Sequence, residues 1–506
     1  MTLPTYPESY WLATASMPGF GKLDRDLETD IVIVGGGITG ITTAYLLAKE
    51  GRRVVLVTAG KLLNGTTGYT TAKLTAQHDL IYDEYIGHFG EEKAKRYYDA
   101  NMDGLQFIRK LAEEEGIDCD LVKEDAFIYT NDDWKVQTIE REYQAYERLG
   151  IPGSLEKSIP LPVPSLRAVV MKGQARFHPV PYLKHLAESF VRMGGVVYED
   201  TTVDKVEELG DGSVQVTAEE GRTIACRDAV SCSHFPIPDS AFYFARLHAE
   251  SSYAIAARAP GEGELPRGMY LSADKPNRSV RAITYGGEKL LLIGGESHKV
   301  GQKEPGFKHY EALEEFARTA FGATDIVYRW SAQDFETTDK LPYVGRVAKD
   351  KLHIYTATGF RKWGMTTSVV AARILTDNIL SRNNPYADLY DPSRFHADPD
   401  LATLAKENVN VAGKLIGGKL EWLRRKPEDL GPDEGGSVRV RGRRAGAYRA
   451  PDGELFVVDT TCRHMGCEVE WNDGDRTWDC PCHGSRYTYR GEVIEGPAKK
   501  DLERLR

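Results

Sequence analysis

The protein has 506 residues, of which 41% are hydrophobic and 28% charged, and its net charge is −10. A chain of this length exceeds the size at which one hydrophobic core stops growing, so we expect several folding units. The ordinary composition excludes fibrous and disordered classes, and the acidic balance argues against nucleic acid or an anionic membrane surface as the main partner.

Targeting and membrane signals are missing from the sequence. The N-terminal segment has no basic stretch followed by an apolar run, and no stretch of about 18 uninterrupted apolar residues occurs. We therefore expect no transmembrane segment and a cytoplasmic location. Seven cysteines are too few for a disulfide scaffold, yet four of them fall within 21 residues near the C-terminus.

The first predicted element is a βαβ unit. Residues 30–34 form a short run that is rich in β-branched residues, which is typical of a buried parallel strand. A helix follows and stops near Gly51, and Val54–Val57 forms the second strand. The unit spans about 30 residues, the usual length of a nucleotide-binding βαβ element.

Three glycines join the first strand to its helix with the spacing G-x-G-x-x-G. Gly35 permits the tight turn, Gly37 lets the backbone approach a pyrophosphate, and Gly40 lets the helix pack on the strand. A plain glycine-rich turn is the alternative, but the flanking elements favour a dinucleotide site. Thr58 stands where an acidic residue would accept hydrogen bonds from the ribose, which predicts weaker nucleotide binding or a bridging water.

Helices and an antiparallel sheet are predicted further along. Apolar spacing near 3.6 residues indicates amphipathic helices, and alternating residues with a Gly-Gly turn indicate a β-hairpin. The predicted elements are a helix over 91–116, a helix from Pro181 to Gly194, antiparallel strands between about 241 and 329, a strand at 355–359, a helix over 367–380 and a connector with one helix near 401–415. The final 80 residues predict a small all-β domain.

Two cysteine and histidine boxes lie in this last domain. Cys462 and His464 form C-x-H, and after fifteen intervening residues Cys480 and His483 form C-x-x-H. One Cys and one His in each loop is the arrangement of a Rieske 2Fe-2S site. A Cys2His2 zinc site uses the same ligand types, but a zinc finger usually puts its cysteines in one knuckle and its histidines in another. The pattern favours a Rieske cluster.

Further segments resemble a known flavoenzyme family. With the glycine fingerprint, residues 64–73, 341–345 and 358–366 resemble the flavin-dependent D-amino-acid oxidase and glycine oxidase family, over roughly residues 28–385. The resemblance implies FAD and an α/β Rossmann-like fold with an interleaved antiparallel substrate sheet. It implies cofactor contacts at Gly35, Gly37, Gly40, Thr58, Thr66, Thr67, Val203, Gly359, Gly364, Met365 and Thr366.

The same resemblance implies where the chemistry occurs. The helix that starts at 364–366 would point its positive end at the flavin and stabilise the anionic reduced form. Lys362 and Trp363 would lie near the flavin, and Arg281 would hold a substrate carboxylate bidentately, with a surface-strand arginine as the alternative. His78 is expected to be a packing residue. Since no cysteine occurs between 232 and 462, a thioether-linked flavin on the 359–366 turn is excluded.

The cluster boxes resemble the cytochrome bc subtype of Rieske domain. That resemblance implies a disulfide between Cys467 and Cys482, with a reduced pair as the alternative in a reducing cytosol. It also implies hydrogen bonds from Ser485 and Tyr487 to the cluster sulfide and a ligand thiolate. Such donors stabilise the reduced cluster and raise its potential. Residues 496–498 resemble the proline loop that covers the cluster.

Together these features predict three parts: a flavin oxidoreductase unit at 1–390, with substrate-sheet portions at about 121–170 and 241–329, a linker at 391–427 and a Rieske unit at 428–506. The leading hypothesis is an FAD-dependent oxidoreductase that oxidises an amine or amino acid at a CH-NH or CH-NH2 group. Electrons would leave singly through the cluster to an external acceptor, which is a protein, a quinone or oxygen. The alternatives are an oxidase with a structural cluster, and an electron-transfer or redox-sensing protein without an amine substrate.

Overall fold

The computed structural model describes residues 3–239, 241–260, 265–301, 305–396, 398–401, 403–404, 406–408, 411, 414 and 425–506. The described helices are α1 (Tyr10–Thr14), α2 (Ile38–Lys49), α3 (Tyr82–Phe89), α4 (Glu91–Glu114), α5 (Asp133–Leu149), α6 (Pro179–Arg192), α7 (Tyr243–Arg246), α8 (Gly306–Phe321), α9 (Gly364–Ile379) and α10 (Ala387–Tyr390).

The strands of the first half are β1 (Leu27–Glu28), β2 (Ile31–Val34), β3 (Val54–Val57), β4 (Lys73–Leu74), β5 (Val122–Thr130), β6 (Gly153–Glu156), β7 (Arg167–Arg176), β8 (Val196–Tyr198), β9 (Val203–Glu208), β10 (Val214–Ala218), β11 (Thr223–Cys226) and β12 (Asp228–Ser231). The later strands are β13 (Leu247–Arg258), β14 (Met269–Ser272), β15 (Arg278–Ile283), β16 (Leu290–Lys299), β17 (Asp325–Thr337), β18 (Tyr343–Arg346), β19 (Ile354–Thr358), β20 (Glu434–Val440), β21 (Arg443–Arg449), β22 (Leu455–Val458), β23 (Glu470–Asn472), β24 (Thr477–Asp479), β25 (Arg486–Thr488) and β26 (Val493–Glu495).

A six-stranded sheet in the order β18-β19-β12-β2-β3-β8 forms the nucleotide-binding core. Its strands run parallel except β18, which pairs antiparallel with β19. Every residue of β2 and β3 is buried, as their continuous apolar sequences predict for a sheet covered on both faces. Helices α2 and α9 pack together beside this sheet. The predicted βαβ unit is confirmed.

A second, larger sheet carries the order β17-β13-β16-β15-β14-β5-β7-β4, with β6 paired to β7. All its pairings are antiparallel except that between β14 and β5. Because its strands come from both halves of the chain, the interleaved substrate sheet is confirmed. The observed strands extend to Arg176 and Thr337, past both predicted limits, since β7 and β17 are longer than the sequence pattern indicated. A four-stranded sheet, β1-β11-β10-β9, packs beside the nucleotide-binding core.

The C-terminal residues form two small sheets, β20-β21-β22 and β23-β24-β25-β26. All their pairings are antiparallel, so the predicted all-β character is confirmed. Trp478 and Tyr487 are fully buried between the sheets and the cysteine loops. The cluster loops thus stand on a packed core in spite of the small size of the unit.

One helix boundary differs from the sequence prediction. Helix α6 begins at Pro179 rather than Pro181, because His178 caps it by accepting a hydrogen bond from the N–H of Val180 at 3.3 Å. The predicted connector helix near 401–415 is described in part, and its described residues, 401, 403–404, 406–408, 411 and 414, are all helical. Within the described ranges, no helix combines the length and apolarity that crossing a membrane requires.

Candidate flavin and cluster sites

The glycine turn after β2 is closed by backbone contacts that only glycine permits. A Cβ on Gly35, whose φ is +117°, would lie 2.3 Å from the carbonyl oxygen of Cys232, and a Cβ on Gly40 would lie 1.9 Å from that of Gly35. Gly37 is the N-cap residue of α2 and has no side chain between the helix end and the cavity. The turn therefore leaves the N-terminus of α2 open to a phosphate.

The other nucleotide-side residues surround the same opening. Thr58, Thr66, Thr67 and Val203 all line it. The Thr67 hydroxyl accepts from the N–H of Ile38 at 3.1 Å, so it holds the threonine-rich turn against the start of α2. Thr58 brings no charge to the end of β3, which leaves the ribose side of the opening without the usual carboxylate at this position.

The turn before α9 is held in an unusual backbone conformation. Arg361 and Lys362 both have positive φ, +51° and +67°, which is uncommon for residues with a Cβ. The conformation is held by hydrogen bonds from the Arg361 N–H to Phe335 O at 3.0 Å and from the Lys362 N–H to the Asp334 carboxylate at 2.5 Å. Gly359, at φ +77°, lies too close to Thr337 to carry a side chain.

This turn delivers the start of α9 to the cavity. Gly364 and Met365 line the cavity, whereas the Thr366 hydroxyl points away and donates to the Thr75 carbonyl at 2.9 Å. Trp363 also lines the cavity, and its ring stacks on His78 at 5.0 Å between ring centres. Both ring nitrogens of His78 are hydrogen-bonded inside the protein, and burial lowers its pKa to about 3. His78 therefore packs, as the sequence indicated.

The predicted catalytic residues separate into two groups. Lys362 lines the cavity, and its ammonium lies 2.9 Å from the carboxylate of Glu250. Burial raises the pKa of Glu250, but the Lys362 ammonium lowers it below its ordinary value. Lys362 and Trp363 both line the cavity, and their role beside the flavin stays a prediction.

Arg281 does not reach the cavity, and the predicted carboxylate clamp is wrong on geometry. Its guanidinium is buried, donates to Thr71 O at 2.6 Å and to Ala282 O at 2.9 Å, and lies over the ring of Trp11. The alternation of β15 gave the correct face, because Ser279 on the same face lines the cavity. At Arg281, two residues after Ser279, the turn that contains Thr71 covers strand β15.

The four predicted cluster ligands are brought together by two neighbouring loops. Cys462 and Cys480 are buried with their thiols in hydrogen-bonding contact, which lowers the pKa of Cys462 to about 6 although burial opposes it. The rings of His464 and His483 are 5.0 Å apart and perpendicular. Burial lowers the pKa of both imidazoles, which favours the neutral form that binds metals.

This set fits a 2Fe-2S cluster. The Nδ1 atom of His464 is buried without a hydrogen-bond partner among the described residues, so it is free to bind iron. Two thiols and two imidazoles are the donors of a Rieske centre. The glycine turn, the N-terminus of α2 and the start of α9 likewise fit FAD, because each presents open backbone to one cavity.

The predicted disulfide is present beside the ligand loops, and the two predicted hydrogen-bonding residues lie beside the same loops. Cys467 and Cys482 form a disulfide that links the two loops. The hydroxyl of Tyr487 lies 3.3 Å from Cys462 Sγ, and the Ser485 hydroxyl accepts from the N–H of Ala498 at 2.9 Å. The loop at 496–498 is thereby fastened to the second cysteine box.

One cavity of about 1190 Å³ joins the two sites. It is lined by the glycine turn, the threonine-rich turn and the turn before α9, and also by His464 and residues 492–499 of the cluster unit. One predicted cluster ligand therefore faces the space that the flavin-side turns enclose. The sequence did not predict this arrangement.

A histidine bridges the units at the edge of this cavity. His234 follows β12, and its Nδ1 lies 2.5 Å from Glu495 while its Nε2 lies 3.1 Å from Asp334. Burial disfavours the charged ring, but the two carboxylates raise its pKa to about 10. Asp334 also accepts from the N–H of Lys362. A continuous polar chain thus runs from the flavin-side turn to the loop that precedes the proline.

Strand β17 provides most of the remaining contact with the cluster unit. The Gln333 side chain donates to the Gly484 carbonyl, next to the ligand His483, and the Gln333 carbonyl accepts from Thr66 at 3.0 Å. Arg329 donates to Gly474 O at 2.7 Å. These contacts are largely buried, so the cluster loops are fixed against the sheet that borders the flavin side.

Sequence reasoning missed His234, Asp334, Glu495 and Lys73, all of which line the cavity. No motif marks them. For His234 one signal existed, since it follows the carboxyl end of a parallel strand, where open α/β sheets bind their ligands. For the others the sequence offered only a carboxylate or a lysine on a strand.

Comparisons with known proteins agree with this geometry. The model of the family described as FAD dependent oxidoreductase matches residues 30–378, and that of the Rieske [2Fe-2S] domain matches residues 422–506. The protein YhfW of Bacillus subtilis (strain 168), which is named for a Rieske 2Fe-2S cluster, is 47% identical over 500 residues, covering 99% of this chain and 97% of its own.

More distant relatives match the first part alone. Gamma-glutamylputrescine oxidoreductase of Escherichia coli (strain K12) is 23% identical over 393 residues, covering 74% of this chain and 88% of its own. The structure of glycine oxidase from Geobacillus kaustophilus superposes with a TM-score of 0.61 at 19% identity, covering 73% of this chain and all of that one. FAD and a 2Fe-2S cluster are the cofactors of these two parts. The chain belongs to the FAD-dependent oxidoreductase family and carries a C-terminal Rieske [2Fe-2S] domain.

Proposed function

We propose that the protein oxidises an amine or amino acid at a carbon next to nitrogen and passes the electrons one at a time through its Rieske centre to an external acceptor. When bound, FAD supplies a two-electron acceptor for hydride, and the cluster supplies a one-electron carrier. We further propose that residues 1–390 form the oxidoreductase unit, 391–427 the linker and 428–506 the cluster unit.

The shared cavity carries this proposal. His464 and the loop at 495–499 border the space that the glycine turn and the start of α9 also border. A cluster with only a structural role would not need a ligand at this surface. The buried contacts of β17 keep the two sites in one arrangement, so an electron would not need a domain movement to cross.

Each part of the chain has a role in this scheme. The N-terminus of α9 places a positive helix end at the cavity and favours negative charge there. Tyr487 and Ser485 stand beside the cluster loops, where hydroxyl groups would stabilise added electron density on a bound cluster. We assign Cys462, His464, Cys480 and His483 as the iron ligands. Lys362, balanced by Glu250, borders the substrate side of the turn.

The acceptor is a protein, a quinone or oxygen, and one experiment separates the hypotheses. The absorption spectrum of purified protein is recorded and followed during anaerobic titration with a panel of amines and amino acids. We expect one of them to bleach the flavin bands and then the Rieske bands. Flavin bleaching that never reaches the cluster would overturn the proposal, and full peroxide-producing turnover in a His464→Ala variant would indicate an oxidase instead.

A further inference from the structure

A buried lysine stands in the cavity without an acidic partner. Lys73 in β4 is 8% exposed and lines the cavity. Its ammonium donates to the Tyr270 carbonyl at 3.0 Å. Among the residues that the structure describes it has no ion-pair partner, so two of its three donors have no partner in the chain.

The charge around Lys73 is positive. Arg281 is the neighbouring charged group that acts on it, and the guanidinium Nη2 of Arg281 is itself buried without a hydrogen-bond partner among the described residues. The carboxylates nearest to Arg281, Asp120 and Glu124, already pair with Arg176 at 2.6 and 3.3 Å. The cations of Lys73, Arg281 and Arg176 therefore share only these two carboxylates among the described residues. One positive charge of the group lacks a counterion.

Such a charge is expensive to bury. An unpaired buried ammonium destabilises the fold strongly, and proteins therefore pair it, neutralise it or use it to bind a ligand. Burial, aided by Arg281, lowers the pKa of Lys73 to about 7, which brings its charge close to balance at neutral pH. An anion in the cavity would restore the charge and take up the open donors.

Lys73 lies near the start of α9. Thr75, two residues further on, accepts from Thr366 at the start of α9, so β4 lies where the flavin-side turn meets the substrate sheet. Leu271 and Ser279 of the sheet line the cavity too.

We propose that Lys73 binds the carboxylate of an amino-acid substrate, the role that the sequence suggested for Arg281. The inference rests on the proposed function and narrows its substrate to amines that carry a carboxylate. Arg281 then acts behind Lys73, where it adds positive potential and has no contact with the ligand.

Benzoate and benzylamine are suitable probes, because they present the anion and the cation on the same apolar ring. Each is titrated into the oxidised holoprotein, with the flavin absorption spectrum and calorimetric heat as readouts. We expect benzoate to bind and benzylamine to bind more weakly. Loss of one charge-assisted contact in Lys73→Met should weaken benzoate roughly tenfold or more.

Controls keep the result specific. Lys73→Arg retains the charge, so its benzoate affinity should stay within about threefold of the wild type. Lys275→Met removes an exposed lysine that lines the cavity, and its benzoate affinity should also stay within about threefold. Unchanged benzoate affinity in a flavin-loaded Lys73→Met protein overturns the inference, as does a wild type that binds benzylamine but not benzoate up to its solubility. Neither outcome depends on electron transfer, so failure of the proposed function is seen separately.

Discussion

Replacing His234 by asparagine removes the charged bridge between the flavin side and the cluster unit. In the wild type the imidazolium contacts Glu495 at 2.5 Å and Asp334 at 3.1 Å, and it is 18% exposed. Asparagine is neutral and shorter. The variant therefore leaves two carboxylates facing each other at the edge of the cavity, without the cation that compensates them.

The free-energy cost of removing the His234 cation can be obtained in two independent ways. Breaking a buried ion pair by removing one partner costs about 3–5 kcal/mol. The rise in the pKa of His234 from its ordinary 6.5 to about 10 corresponds to roughly 5 kcal/mol at 1.36 kcal/mol per unit. Taking about 3 kcal/mol as the local effect, the undocked population of the loop before the proline should rise on the order of a hundredfold.

The sign of the pH dependence follows from the raised pKa. Stabilisation by the protonated ring is complete below pH 6.5 and is lost as the pH rises through about 10. After correction for intrinsic exchange, protection of the loop in the wild type should fall over this window. In His234→Asn, protection of the loop should be low and should not change with pH over this window.

Hydrogen exchange of peptides that cover residues 493–499 measures docking of the loop directly. His353→Asn is the matched control, because His353 pairs with Asp228 at 2.9 Å at the opposite end of β12 and lies outside the cavity lining. We expect rapid exchange in His234→Asn alone. Equal protection in both variants and the wild type would show that His234 does not hold the loop, and so would an equal loss of protection in His353→Asn.

Three further changes test the two sites. Tyr487→Phe removes the hydroxyl 3.3 Å from a ligand sulfur and should lower the cluster potential by roughly 50 mV in a redox titration, whereas Tyr448→Phe, whose hydroxyl bonds elsewhere, should not. Cys467→Ser opens a disulfide with a sequence separation of 15 and should destabilise the cluster unit by up to about 3 kcal/mol, seen as Rieske absorption lost at lower temperature; an unchanged midpoint would contradict it. Gly35→Ala places a Cβ 2.3 Å from a carbonyl oxygen and should reduce flavin content roughly tenfold, whereas Gly51→Ala, also at positive φ but with open space around it, should retain flavin; equal content would count against the assigned turn.

The cluster ligands and the glycine turn were predictable because their chemistry is local in sequence. Cys462 and His464 lie two residues apart, and the spacing alone restricts which metal centre they can build. The helix packing of Gly40 similarly follows from one short motif. Short motifs of this kind can be recognised without knowledge of the rest of the fold.

The junction between the units was not predictable, because its partners are far apart in sequence. His234 and Glu495 are separated by 261 residues, and Gln333 and Gly484 by 151. The prediction for Arg281 was wrong for a related reason. Alternation along β15 predicts which face of the sheet a side chain occupies, but not how much of that face the neighbouring turn at Thr71 covers. Only the assembled fold brings Lys73 into the cavity lining while the Thr71 turn covers Arg281.

We propose that electrons cross from the flavin side to the cluster within one chain. The most direct measurement is an anaerobic rapid-mixing experiment with a substrate found in the titration, in which flavin and Rieske absorption are followed at several protein concentrations. We predict that the cluster is reduced after the flavin, in a first-order step whose rate constant does not change with protein concentration. A cluster that stays oxidised, or a rate constant that rises in proportion to protein concentration, would contradict electron transfer within one chain.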